Sequence, residues 1–317
     1  MKLINFFFYF CLSRKFYLIN TAYEYMAMVE YFKSKNQDIS EFTIIVGYCS
    51  SPSKKQIKNL IKEFYKTKQK IFYLDELYNV KIFHIFFFIS KMIKKKFLLS
   101  VGGSYNYYLF KEFFKKSSKV VFIDDGYECL VTIKKKEIQD WDCEFYTSYN
   151  IKNSKYKIKK NNFDFIRSFR TKSNIDKELV ILMGTAIYQD EIRFKNNNFN
   201  KHLNKFIEVN KNKKILYFPH RNEIIDNNNP IFKNFEICRI GEPIETYLLK
   251  SSVLPGLIAG FYTAALYSLK IILNDEKITV MNINFDNDGE KWSALDRPFM
   301  HEYFVEHMKE VNIKSLY

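Results

Sequence analysis

Short apolar runs recur through the first half of the chain, each followed by a stretch with helical spacing. Residues 16–20, 42–48, 70–74, 97–100 and 120–123 are rich in β-branched and aromatic side chains, the make-up of buried strands. Residues 22–35 carry a helical pattern with Thr21 as a ready N-cap, and residues 53–67 set Ile57, Leu60, Ile61 and Phe64 on one stripe. The apolar run 82–89, cut short by Lys91 and Lys94-Lys95-Lys96, reads as a buried helix. Residues 101–108 read as a glycine turn opening a further helix. Strands alternating with helices predict βαβ units and a parallel sheet.

Residues 151–177 are polar and lysine-rich with few apolar anchors before Phe163, and they read as a linker. The pattern then resumes. Strands are predicted at 179–183, 214–218, 235–238, 257–259, 269–273 and 279–283, with helices at 200–210, 245–250 and 298–311. The expected organisation is an apolar extension over 1–15, one α/β domain over 16–165, a second over 178–295, and a C-terminal helix over 296–317.

Composition narrows the class. The chain has 317 residues, 47% of them hydrophobic and 18% aromatic, which supplies two cores and excludes a disordered tail. Lys plus Arg number 50 against 35 Asp plus Glu, a formal charge of +15. Such a balance suits nucleic acid, an anionic membrane surface or anionic small substrates. Much of the lysine is mixed with asparagine, as in Lys195-Asn196-Asn197-Asn198, which marks a compositional bias. With no arginine-rich block or nucleic-acid motif, nucleic acid is not an expected partner. Five scattered cysteines without a Cys-x-x-Cys pair point to reduced thiols and a cytoplasmic setting. Residues 1–12 are very apolar but shorter than the ~20 residues a membrane span needs. They read equally as a surface anchor on the inner membrane face or as an extra packed element.

Four segments could carry chemistry. Val120 to Ile123 runs into Asp124-Asp125-Gly126. Adjacent carboxylates cannot sit unaided inside a buried strand, so they are expected at its carboxyl end, where open α/β sheets bind ligands. Crowding raises one pKa toward that of a general base; a solvated turn is the plainer reading. Tyr217-Phe218-Pro219 leads into His220-Arg221, a proton donor beside a permanent positive charge, or simply a solvated loop. Gly260-Phe261-Tyr262-Thr263-Ala264 precedes a helix whose free amides suit phosphate, although a tightly packed capped start needs the same small residues. Glu245, at another helix start, is either a dipole partner or a ribose ligand. Gly184, straight after the strand 179–183, is a further candidate for close ligand approach. The Asp-x-Asp patterns at Asp140-Trp141-Asp142 and Asp286-Asn287-Asp288 read as chance or turns, so no metal is expected. His202, on a lysine-rich helix, is expected to be exposed.

This order of motifs resembles the bacterial sialyltransferases of the lipooligosaccharide and polysialic-acid capsule type. In that group an acidic-acidic-glycine motif follows a strand of the first domain, matched here by Asp124-Asp125-Gly126. A histidine motif follows a strand of the second, matched by His220-Arg221, although Arg221 replaces the usual proline. Thr263-Ala264 stands where a serine pair is usual, and Gly103-Ser104-Tyr105 is similar to the family's glycine-aromatic segment. The resemblance implies a GT-B fold, two Rossmann-like domains facing across a cleft. It also implies inverting, metal-independent transfer from CMP-sialic acid or a related CMP-nonulosonate to a glycan hydroxyl. The alternatives are a transferase of another nucleotide sugar, or a non-enzymatic, membrane-peripheral glycan-assembly protein on a retired transferase fold, which Thr263-Ala264 and the missing proline favour. Asp124 would then be the base, with Asp125 the alternative. His220 would serve the departing phosphate, Thr263 would hold it, and Glu245 would bind the ribose.

Overall fold

The computed structural model describes residues 15–39, 42–47, 51–64, 70–73, 98–102, 119–126, 128–134, 138, 141–152, 154–185, 198–221, 223–226, 228–261, 263–283 and 307–316. The chain is a mixed α/β protein that divides into two compact units, residues 1–165 and 166–317. Expectations for residues 1–14, for the apolar run 82–89, for Gly103 and for Asp286-Asn287-Asp288 lie outside the described residues.

The first unit holds strands β1 (Lys15–Ile19), β2 (Thr43–Val46), β3 (Lys70–Tyr73), β4 (Leu98–Gly102), β5 (Lys119–Ile123), β6 (Cys143–Thr147) and β7 (Lys157–Lys160). Helices α1 (Ala22–Ser34), α2 (Ser51–Phe64) and α3 (Glu128–Ile133) lie among them, and the short α4 (Asp164–Arg167) runs across the division after residue 165. The sheet order is β3-β2-β1-β4-β5-β6-β7, and every pairing is parallel. Interior strands of a parallel sheet are covered on both faces, and β1, β2, β5 and β6 are buried almost throughout. Helix α1 starts where Thr21 accepts a hydrogen bond from the Glu24 amide (3.1 Å). Its Phe32 packs with Tyr17 and Phe42, with ring centroids 4.5 to 4.8 Å apart and tilted or edge-on planes.

The second unit holds β8 (Asn174–Met183), β9 (Lys214–Phe218), β10 (Glu236–Ile237), β11 (Val253–Gly260), β12 (Thr279–Ile283) and β13 (Lys314–Leu316). Its helices are α5 (Asn198–Val209), α6 (Ile244–Lys250) and α7 (Ala264–Leu273). The order β10-β9-β8-β11-β12-β13 repeats that of the first six strands of unit one, again with parallel pairing. Its core joins Leu182, Tyr217 and Ala259 of the sheet to Phe199, Leu203 and Phe206 of α5.

Several elements depart from the sequence reading. The supposed linker 151–177 contains β7, α4 and the start of β8. β7 is a lysine-bearing edge strand, and charge on an edge discourages further pairing. The polar residues 174–178 extend β8 because only its second half is buried. Val101 and Gly102 close β4 and do not form a turn. Residues 269–273, expected as a strand, complete α7, which ends at Asn274 in the left-handed region (φ 44). A short apolar run does not distinguish a buried helix from a strand, and the Thr263 cap decides it. Within the expected C-terminal helix, residues 307–310 are helical, but Lys314–Leu316 pairs with β12. His202 is buried, because residues 199, 202, 203 and 206 form the inward stripe of α5. Among the described residues no helix is long and apolar enough to cross a membrane.

A register shift between Pro255 and Leu257 marks a bulge where β11 pairs with β8. A Cβ on Gly256 would come within 2.8 Å of the Lys177 Cα, a backbone atom with no freedom to turn aside. Gly256→Ala should therefore cost about 1–3 kcal/mol of stability, visible as a lowered melting temperature. An unchanged melt would mean the bulge relaxes freely.

Candidate functional site

Parallel pairing sends all strand ends of one sheet to one edge, and the polar residues singled out above follow the strands. Asp124 directly follows β5 and is wholly buried. Its Oδ2 accepts hydrogen bonds from the Ser148 amide (2.6 Å) and from Asn161 Nδ2 (3.5 Å). Burial pushes its pKa up to about 6, and the nearby Thr147, Ser148 and Asn161 donors hold it from rising further. Asn161 is itself fixed, because its Oδ1 accepts from the Phe163 amide (3.0 Å). Phe163 is fully buried at φ 55, a strained setting for a bulky residue that its packing, including Tyr23 at 5.7 Å, holds in place.

Asp125 is half-buried, and Gly126 turns the chain at φ 83, where a side chain would be strained. Burial raises the pKa of Asp125 well above the carboxylate range, reinforced by the charges of Glu24, Glu128 and Asp124. Glu24 and Asn20 escaped the sequence reading. Glu24 Oε2 accepts from the Asn20 amide (2.8 Å), so helix α1 brings a third carboxylate to this edge. A Thr-x-x-Glu spacing at residues 21–24 was the available signal.

In the second unit, Gly184 follows β8, and its amide donates to the Phe218 carbonyl (2.8 Å). A Cβ there would overlap the Glu223 carboxylate and the Tyr217 hydroxyl. Glu223, also missed from the sequence, is buried; it accepts hydrogen bonds from Tyr217 Oη and from the His220 amide (2.9 Å). Burial raises its pKa to about 7. His220 follows β9 half-buried, and burial together with the Arg221 charge lowers its pKa to about 4. The imidazole is therefore neutral at neutral pH and donates through one nitrogen only. Arg221 is exposed in the turn.

Thr263 caps α7, its hydroxyl accepting from the Ala265 amide (3.4 Å). Gly260 packs tightly beneath it, since a Cβ would meet Thr263 Cγ2 at 2.9 Å. The capped, close-packed start is thus present, and the half-buried Thr263 stands at the amide end of a ten-residue helix. Glu245 is buried, and its Oε1 accepts from Ser268 Oγ of α7 (2.5 Å), so that oxygen is committed to helix packing. The first unit thus gathers Asp124, Asp125 and Glu24 on one edge. The second gathers Gly184, His220 and Glu223 at the ends of β8 and β9, with Thr263 following β11. No protein-family model matches the chain, and no curated protein matches it.

The buried carboxyl of Asp124 has a stability consequence. Its folded pKa, about 6, lies above the ordinary 3.8, so the folded state holds its proton more tightly. This contribution to stability is complete below pH ~4 and is lost as pH rises through ~6. Asp124→Asn removes the loss. Relative to the parent, the variant should gain about 1–3 kcal/mol between pH 4 and pH 7, read from paired thermal melts. A difference that does not change with pH would show that Asp124 titrates normally.

Proposed function

We propose that the chain is an inverting, metal-independent glycosyltransferase of the GT-B kind, related to the bacterial sialyltransferases. It would move sialic acid or a related nonulosonic acid from a CMP donor to a sugar hydroxyl of a surface glycan. The observation that carries this reading is Asp124: a wholly buried carboxyl directly after a central parallel strand, with its pKa raised to about 6. That is the range a general base needs at neutral pH. The strand order shared by the two sheets supports the two-domain part of the reading.

In this mechanism the acceptor hydroxyl passes its proton to Asp124 as its oxygen forms a bond to the anomeric carbon. The bond from that carbon to the CMP phosphate breaks with inversion, and CMP leaves with the electron pair. Asp125, less enclosed, is the alternative base. His220, neutral at its lowered pKa, steadies the departing phosphate by donating an N–H and is not a ready acid. The first amides of α7, beside Thr263, hold the same phosphate. Gly184, the space beside it filled by the Glu223 carboxylate and the Tyr217 hydroxyl, keeps the end of β8 close to the His220 turn, and Arg221 supplies a nearby positive charge. Glu245, buried and bonded to Ser268 Oγ, takes its ribose role from the resemblance alone.

Incubation with CMP-sialic acid and a galactoside should release CMP, at a rate that rises with pH through ~6 as Asp124 loses its proton. Asp124→Asn should lower kcat by about 10²–10⁴-fold with CMP affinity intact, and His220→Ala should weaken CMP binding. No CMP release from the parent protein would refute the activity. Transfer near parental rates in Asp124→Asn would remove Asp124 as base. Should UDP or GDP, and not CMP, raise the melting temperature, the donor is a different nucleotide sugar.

A further inference from the structure

We propose that Glu223 is a positioning residue whose carboxyl group ties the His220 turn to the core and to the end of β8. The proposal rests on the reading of His220 as the partner of the departing phosphate, and it deepens that reading by naming what holds the residue in place.

Residues 220–223 close on themselves twice. The Glu223 amide donates to the His220 carbonyl (2.7 Å), and the His220 amide donates back to Glu223 Oε2 (2.9 Å). A similar return bond, from a Glu side chain to the amide three residues earlier, closes the capping box of a helix. Here residues 223–226 are not helical, so the pair serves the turn itself. The other carboxyl oxygen reaches inward: Glu223 Oε1 accepts from Tyr217 Oη. The Tyr217 ring is buried and packs on Phe232 and Phe235, each at 5.4 Å between centroids. From β8, the Thr185 amide is a further donor to the carboxyl group, and a Cβ on Gly184 would overlap it.

His220 stands two residues past the end of β9, outside the ladder that fixes the strand. Its amide is held by Glu223 instead. Burying a carboxyl group carries a desolvation penalty that its donors here offset only in part, since its pKa is raised to about 7. An apolar side chain would fill the same space without that penalty, so the group is explained by what it fixes. Both of its forms make the clamp. The carboxylate accepts from Tyr217 and His220, whereas the protonated acid donates to Tyr217 Oη and still accepts from His220. Glutamine copies the second arrangement; methionine copies the length alone.

The test follows the His220 imidazole by NMR titration of the full chain, in the parent and in Glu223→Gln, Glu223→Met and Tyr217→Phe. Arg221 acts on His220 and Arg239 on Glu223, and both stay in every variant. In the parent, burial and Arg221 lower the His220 pKa to about 4. Glu223→Gln should leave it there. Glu223→Met should open the turn to water and raise it toward the ordinary 6.5, and Tyr217→Phe should move it the same way by less. Losing a nearby carboxylate charge would by itself lower a histidine pKa, so a rise reports the turn. CMP affinity, by calorimetry, is the second readout. Glu223→Met should weaken it about tenfold, and Glu223→Gln should retain it. Glu223→Met combined with His220→Ala should bind no worse than His220→Ala alone, because Glu223 acts through His220.

An unmoved His220 pKa in both Glu223→Met and Tyr217→Phe overturns the proposal. So does a rise in Glu223→Gln equal to that in Glu223→Met, or additive losses in the double variant. Should Glu223→Met fail to fold, Tyr217→Phe set against Glu223→Gln decides it. A parent that does not bind CMP would sink the donor assignment, and the titration, which needs no ligand, would still decide the clamp.

Discussion

Parallel strand pairing is the constraint on which the rest of this molecule depends. In both sheets every strand runs in the same direction as its neighbours, and interior strands such as β1, β2 and β5 are buried, which leaves little place there for polar side chains. Polar residues are displaced to the strand ends. Because the pairing is parallel, those ends lie along a shared edge in each unit. Asn20, Asp124 and Ser148 follow β1, β5 and β6 in this way. In the second unit Gly184 and His220 follow β8 and β9, and Thr263 comes just beyond β11. Their grouping needs no separate cause.

The same constraint divides the buried acids into two kinds. Glu144, within β6, is buried but meets Lys119 at 2.8 Å and Lys159 at 3.4 Å. Burial alone would raise its pKa, and the lysines more than reverse this. Asp275 is held low by Arg170 at 2.8 Å, in a pair that also fixes the end of α7 through the Leu273 carbonyl. Asp124, Glu223 and Glu245 are held by amides, hydroxyls and a side-chain amide, and all three have raised pKa values. Neutral donors fix a carboxyl in place without stabilising its charge as fully as a cation does. A cation-paired acid stays ionised and structural; an amide-held acid keeps a proton within reach of neutral pH.

Much of the fold was legible because apolar runs alternate with helical spacing, and the Asp124, His220 and Thr263 segments stood out because each breaks such a run. What escaped did so for physical reasons. β7 is lysine-rich because it is an edge, and the first half of β8 is polar because it is exposed, so neither resembles a core strand. Residues 269–273 look like a strand until they are joined to the cap six residues earlier. His202 looked exposed because its neighbours are lysine and asparagine, whereas the spacing from Phe199 to Phe206 turns it inward. Asn20 and Glu223 carry no motif. Their significance lies in burial and in bonds made or left unmade, which only the folded chain displays.

The two units also differ in the kind of chemistry they offer. At the edge of the first, three carboxyl groups stand together: Asp124, Asp125 and Glu24. At the edge of the second, beside the exposed Arg221 cation, the groups offered to a phosphate on the proposed reading are donors without full charge: a neutral imidazole and the opening amides of α7. Full cations would hold a released phosphate strongly as its charge grows, whereas neutral dipoles favour the charge developing during bond cleavage and bind the product less tightly. On the proposed reading, the low pKa of His220 is part of that balance. Glu223 contributes indirectly, since its carboxylate fixes the His220 amide and lies against Gly184. The +15 formal charge of the whole chain thus says little about the site, where burial and fixed dipoles set the local field.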